Sequence, residues 1–143
     1  MPIRRTLSKS DFKLGTDCWT KLYYKKMGYH SANEDNEYLS FLAEGGYLIG
    51  AVAKLYFPGG IDINASVRQP DTTYQELTNR ALDLTRELMQ HEETTLYEPA
   101  FQVGQRLVRV DVLVKKGNRL DLIEVKSKSQ DGSVTFDADF VDI

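Results

Sequence analysis

Apolar positions recur at helical spacing through the first two thirds of the chain and alternate with polar ones in the last third. Tyr38, Leu39, Phe41, Leu42, Gly45, Leu48, Ile49, Val52 and Leu55 predict a helix from about Asn36 to Tyr56. Gly45-Gly46 in its middle costs helix stability and points to close packing or a break. Pro58-Gly59-Gly60 ends the helix, and Ile61-Asp62-Ile63 can form a short strand. The stripe Tyr74, Leu77, Ala81, Leu84 and Leu88 is the cleanest helical pattern, and Asp71 is the expected cap. Ser8-Lys9-Ser10-Asp11 fits a capping box with Asp in the Glu/Gln place. A short helix is expected from there to about Gly15, and a second from Cys18 to Met27, closed by Gly28. The polar stretch Tyr29 to Asp35 reads as loop.

From Thr94 the pattern becomes that of strands. Leu96–Val103, Arg106–Lys115 and Arg119–Lys128 are separated by Gly104-Gln105 and Gly117-Asn118. A two-residue loop with Gly first suits a type II′ hairpin turn. The expectation is an α/β chain, α+β at the level of element order, in which N-terminal helices precede an antiparallel three-stranded meander.

The turns fix a register. Pairing Val103 with Arg106 sets Glu98 opposite Asp111, and pairing Lys116 with Arg119 sets Asp111 opposite Glu124. Three acids from adjacent strands then form one row on one face, in strands otherwise rich in Val, Leu and Ile. Like charges so placed repel, and a divalent cation is one way to neutralise them. Lys126 lies two residues past Glu124 and shares its face. Hard oxygen ligands suit Mg²⁺ or Mn²⁺, which activates water and stabilises charge on phosphate, while an ammonium orients that water. The plainer reading is a solvated sheet face on which Lys126 bridges Asp111 and Glu124.

Composition supports an ordinary folded chain. The 143 residues are 41% hydrophobic and 27% charged, with a formal charge of −3. This length predicts one domain over residues 1–143. One cysteine excludes an intrachain disulfide and fits a reducing compartment, and polar residues directly after Arg4-Arg5 give no sign of a signal peptide. No stretch is apolar enough for a membrane span, so the expected location is cytoplasmic, with no membrane partner. The charge is unevenly spread: residues 1–26 carry seven bases against two acids, residues 27–105 four against twelve, and residues 106–128 seven against three. Two basic stretches meeting on one face would attract phosphate, although lysines on helix surfaces are more often simply solvated.

Val110-Asp111-Val112-Leu113, followed by Leu122-Ile123-Glu124-Val125-Lys126-Ser127, resembles the PD-(D/E)XK nuclease superfamily, in particular its RecB-like exonuclease branch. Leu7-Ser8-Lys9-Ser10-Asp11-Phe12 and Cys18-Trp19-Thr20-Lys21-Leu22-Tyr23-Tyr24 are similar to the opening segment of a bacterial group within that branch. The resemblance implies a restriction-endonuclease-like core and a metal-dependent nuclease acting on DNA. Asp111 and Glu124 would bind Mg²⁺ or Mn²⁺, Val125 would contribute its carbonyl, and Lys126 would assist the water. Glu98 matches an acid on the preceding strand.

The pattern is incomplete in two places. The branch carries a metal-binding His or acid on an early helix, where Gly46-Tyr47-Leu48-Ile49-Gly50 offers neither, and His30 and His91 stand elsewhere. It also continues past its lysine into a helix with Gln and often Tyr, whereas Ser133–Ile143 is acidic and stops where that helix is expected. The resemblance therefore implies a domain short of its C-terminal part, with a second copy or a protein partner as a source of missing elements. The late cysteines of iron–sulfur members are absent, so no such cluster is expected, and Cys18 reads as a small buried hydrophobe.

Lys21, Lys25 and Lys26 are the candidate nucleic-acid contacts. Trp19, Tyr23 and Tyr24 beside them could stack on bases, but packing is the expected role. Asp62 could add a metal ligand, although turn chemistry alone explains it. The alternatives are a catalytically inactive nuclease-fold domain that binds nucleic acid or a protein, and a plain α+β interaction domain.

Overall fold

The computed structural model describes residues 6–31 and 36–126. The expected loop residues 32–35, the last two positions of the third strand run, and the acidic tail lie outside the described residues.

The N-terminal pair of helices forms as the capping chemistry dictates. Ser8 caps α1 (Lys9–Asp17) and Asp11 reciprocates through its side chain, which completes the capping box. The helix runs past Gly15 rather than stopping there, and α2 (Trp19–Lys26) follows at once. Gly15 serves packing: a Cβ there would stand 3.0 Å from Leu22 Cδ2, so the bare glycine lets α2 approach. Trp19, Tyr23 and Tyr24 are exposed, contrary to the packing role expected for them. The buried position of α2 is Leu22, which turns these aromatic rings outward.

Helix α3 (Glu37–Tyr56) begins at Asn36, whose Oδ1 accepts from the Tyr38 and Leu39 amides, and it is unbroken at Gly45-Gly46. Neither close packing nor a break accounts for these glycines, since a Cβ on either would meet open space. The short α4 (Ile63–Val67) is capped by Asp62. Helix α5 (Tyr74–Leu88) is capped by Thr73 with Glu76 in a second capping box. Asp71 is not the cap. It sits at φ 61°, in the left-handed region where Asp is enriched, and the N-cap falls two residues later, at Thr73.

The strand region departs from a single meander. The first two runs each divide, giving β3 (Glu93–Tyr97) and β4 (Ala100–Val103), then β5 (Arg106–Arg109) and β6 (Val112–Lys116), followed by β7 (Arg119–Ile123). Two two-residue strands, β1 (Leu7–Ser8) and β2 (Ile61–Asp62), join in parallel. The result is two mixed sheets, ordered β1-β5-β4 and β2-β3-β6-β7. The turn-based register nevertheless holds in both. Val103 pairs with Arg106, Tyr97 with Val112, and Lys116 with Arg119. Gly104 and Gly117 take positive φ as first residues of their turns.

Ile63, Val67, Ala81, Leu96, Ala100 and Leu113 form the core between α4, α5 and both sheets. The α5 stripe supplies Leu77, Leu84 and Leu88 at its margin, while Tyr74 is exposed. The hydroxyl of buried Thr85 accepts from the Ala100 amide at 3.1 Å and fixes α5 to β4.

Candidate functional site

The site is built where the two sheets part. Between β3 and β4 stand Glu98 and Pro99, facing Val110 and Asp111 between β5 and β6. Pairing continues through the gap, with the Glu98 amide donating to the Asp111 carbonyl and the Val110 amide to the Pro99 carbonyl, both at 3.1 Å. Glu98 is thus opposite Asp111, as the turn arithmetic requires. Its φ of 55° is costly for a residue with a Cβ, and such strain often accompanies function.

That twist changes which groups meet. Glu98, Asp111 and Val125 line a cavity of about 190 Å³, closed on the other side by Gly46, Gly50 and Lys54 of α3. Burial pushes the Glu98 carboxyl above its ordinary value, and the charge of Asp111 adds to the effect. Arg109 opposes it, as Lys54 does more weakly, while Asp62 reinforces it. Asp111 Oδ2 accepts from the Val125 amide at 2.6 Å, which aims the carboxylate and takes that N–H out of the strand ladder. The third strand ends at Ile123, so Glu124, Val125 and Lys126 lie beyond it rather than within a run to Lys128.

Glu124 belongs to a different set. Its Oε1 accepts from Lys9 of α1 and, at 2.8 Å, from Lys126. Burial raises its carboxyl, but the hydrogen bonds from Lys126 and Lys9 outweigh that, and the net shift is downward. Glu98 and Asp111 are therefore brought together with Val125, whereas Glu124 pairs with both Lys126 and Lys9. Among the described residues no three His, Cys, Asp or Glu side chains are grouped to hold a metal ion.

The basic residues near the N-terminus are also engaged. Lys21 binds Asp17 at 2.9 Å, and Lys25 and Lys26 both bind Asp11, at 2.8 and 2.6 Å. Asp11 is buried; burial raises its carboxyl, and Lys25, Lys26 and Ser8 more than reverse this, leaving it far below the ordinary range. These lysines are held by acids of their own helix pair.

Sequence reasoning missed Lys54. Its Nζ is 2.5 Å from Asp62 Oδ2 and 5.5 Å from the centre of the Tyr97 ring. Tyr97 donates to backbone carbonyls of Lys54 and Phe57, and Gly60 must be glycine because a Cβ would strike that ring. These contacts fix the end of α3 over the sheet. Asp62 accepts from the Ala65 amide as a cap, so turn chemistry does explain it, yet its charge also reaches Glu98. A lone lysine in the C-terminal half of a largely apolar helix gives no sequence signal of which acid it will meet. The larger groove, about 650 Å³ between α5 and β4, holds Asp83 and Arg86, bonded to each other at 2.9 Å.

The implied metal can be weighed against these donors. Mg²⁺ and Mn²⁺ take hard oxygens and need only one or two carboxylates beside waters and phosphate. Glu98 and Asp111 share a cavity in which burial, and then the charge of Asp111, raises the Glu98 carboxyl, so added positive charge is favoured there. Glu98 and Asp111 fit the ion, and Glu124, held by two lysines, does not in this arrangement. No family model, curated protein or solved structure matches this chain.

Proposed function

We propose that the chain is a metal-dependent nuclease of the PD-(D/E)XK type that hydrolyses DNA phosphodiester bonds in the reducing cytoplasm. The observation that carries this reading is the Glu98–Asp111 pair in one cavity with Val125, at the strand positions where the sequence pattern expects metal ligands. Asp111 and Glu98 would hold Mg²⁺ or Mn²⁺, which would stabilise charge on the scissile phosphate and make a bound water acidic. Asp111 keeps its orientation through the Val125 amide. Gly46 and Gly50 leave part of the opposite wall without side chains, which gives a phosphate room to approach beside Lys54. Lys126, released from Glu124 when substrate binds, would hold the attacking water by donating to its oxygen.

The test is degradation of labelled single- and double-stranded DNA by the purified chain with Mg²⁺, Mn²⁺ or EDTA. Metal-dependent cleavage that is lost in Asp111→Asn and in Lys126→Ala supports the reading. Cleavage that persists in EDTA, or survives both substitutions, sinks it. A second reading, a catalytically inactive nuclease-fold domain that binds nucleic acid or a protein, is favoured by the Glu124–Lys126–Lys9 contacts. It predicts no cleavage by the wild type, with DNA affinity that falls steeply with salt.

A further inference from the structure

Helix α3 has two unlike faces. One carries Gly46, Gly50 and Lys54 towards the acid cavity. The other carries Tyr38, Phe41, Gly45, Leu48, Val52 and Leu55, spaced alternately three and four residues apart. That is the spacing of a coiled-coil seam. Its large members are open to solvent: Tyr38 is 67% exposed, Phe41 69%, Leu48 68%, Val52 47% and Leu55 78%. Among the described residues α3 makes only slight contact with other elements, so no part of the described fold covers this seam.

We infer that the seam is buried by α3 of a second copy of this chain, the two helices running antiparallel about a two-fold axis between Gly46 and Tyr47. Three features select this occupant. The first is shape. In the antiparallel register Leu48 of one copy meets Gly45 of the other, Phe41 meets Val52, and Tyr38 meets Leu55. Each large side chain faces a smaller one, and the notch at Gly45, where a Cβ would touch nothing, receives Leu48. A parallel pair would set glycine on glycine and tyrosine on tyrosine, leaving a void beside a clash.

The second feature is area. With flanking Ile49 and Tyr56, the seam exposes on the order of 800 Å² per copy, which is the size of a standard interface side. The third is charge. An antiparallel pair opposes the two helix dipoles, whereas a parallel pair aligns them with like partial charges together. This dimer is independent of whether the acid pair cleaves DNA.

Sedimentation equilibrium on the full chain tests it. The wild type should sediment at twice the 16.3 kDa chain mass. Leu48→Glu should weaken the dimer by roughly a hundredfold with an unchanged helical circular dichroism spectrum, because the position is exposed in the single chain. Gly45→Leu separates seam from helix: it should stabilise the isolated helix yet weaken association about tenfold or more by filling the notch. Val103→Ser, at an exposed apolar site on β4, should leave the dimer intact. In a Cys18→Ser background, mixing Gly45→Cys with Leu48→Cys chains should give a mixed disulfide rather than self-linked products. A monomeric wild type, whether or not residues 127–143 shield the seam, overturns the inference. So does a dimer indifferent to Leu48→Glu, one dissolved equally by Val103→Ser, or self-linking of each cysteine variant.

Discussion

Asp11 and Glu98 are both acids withdrawn from water, and their surroundings treat them in opposite ways. Asp11 accepts from two lysines and from the Ser8 amide, and its charge is fully compensated. Glu98 stands beside Asp111, within range of Asp62, and its opposing cations, Arg109 and Lys54, are each bonded to another residue, Asn64 and Asp62. An acid buried for stability has its counter-charges supplied by the fold. On the proposed reading Glu98 is an acid whose counter-charge is still to be supplied, by the metal ion.

The largest test of that contrast is Asp11→Ala. Its side chain is 7% exposed and Lys26 16%, while Lys25 at 49% remains half in water. Leaving Lys26 without its carboxylate should cost about 3 kcal/mol, the low end for a broken buried pair, because Lys25 can be rehydrated. Chemical denaturation at neutral pH reads this directly. The pH dependence follows from the sign of the shift. A carboxyl lowered on folding stabilises above its ordinary value of 3.8, and this stability is lost as pH falls towards the lower folded value. The gap between wild type and Asp11→Ala should therefore narrow only in strong acid. A gap that closes by pH 5 would mean that Asp11 is not held as described.

Next in size is the response to metal. Millimolar Mn²⁺ should raise the melting temperature of the wild type, by an amount equivalent to about 1–3 kcal/mol if the ion is in large excess over its dissociation constant. Glu98→Gln and Asp111→Asn should each abolish most of that rise. Asp11→Asn should leave it in place on a lower baseline. If all three respond alike, the two acids are not different in kind and the comparison fails.

Glu98→Gln without metal should move stability the other way from Asp11→Ala. A carboxyl raised on folding makes the folded state lose stability as pH climbs from its ordinary value of 4.5 through the higher folded value. Removing that charge should stabilise the chain at pH 7 by about 1 kcal/mol or less, since the group is partly hydrated. The gain should fade as pH drops through 4.5 and vanish well below it, where wild-type Glu98 is neutral in both states. A loss of stability at pH 7 would show that Glu98 is ion-paired rather than crowded by acids.

How much of this was legible beforehand depends on how far along the chain each cause lies. Gly104-Gln105 and Gly117-Asn118 sufficed for the register because a two-residue turn dictates every pairing that follows it. The capping box at Ser8 and Asp11 was equally local. What those patterns could not carry was direction and partner. The opposition of Glu98 to Asp111 was correct, but the left-handed φ at Glu98 divides the strands between two sheets and turns the carboxylate towards α3. Asp11 was read as a cap, yet its ion pairs come from a second helix. Lys54 meets Asp62 beyond the end of its helix and Lys9 meets Glu124 across the chain, at pairings that no periodicity encodes.

The smallest expected effect is the one that decides the third acid. Lys9, Lys126 and Glu124 are each 42–53% exposed at the side chain, so their contacts are surface pairs. Glu124→Gln should change stability by no more than about 0.5 kcal/mol at moderate salt. Its effect on the Mn²⁺-induced melting shift is the sharper reading. In the arrangement described here Glu124 is not a ligand, so the shift should survive the substitution almost unchanged. A shift lost in Glu124→Gln as fully as in Asp111→Asn would mean that the ion draws Glu124 away from Lys9 and Lys126 and across to Asp111. The row of three acids expected from the turns would then exist only with metal bound, and Lys126 would lose its contact with Glu124 by the same movement.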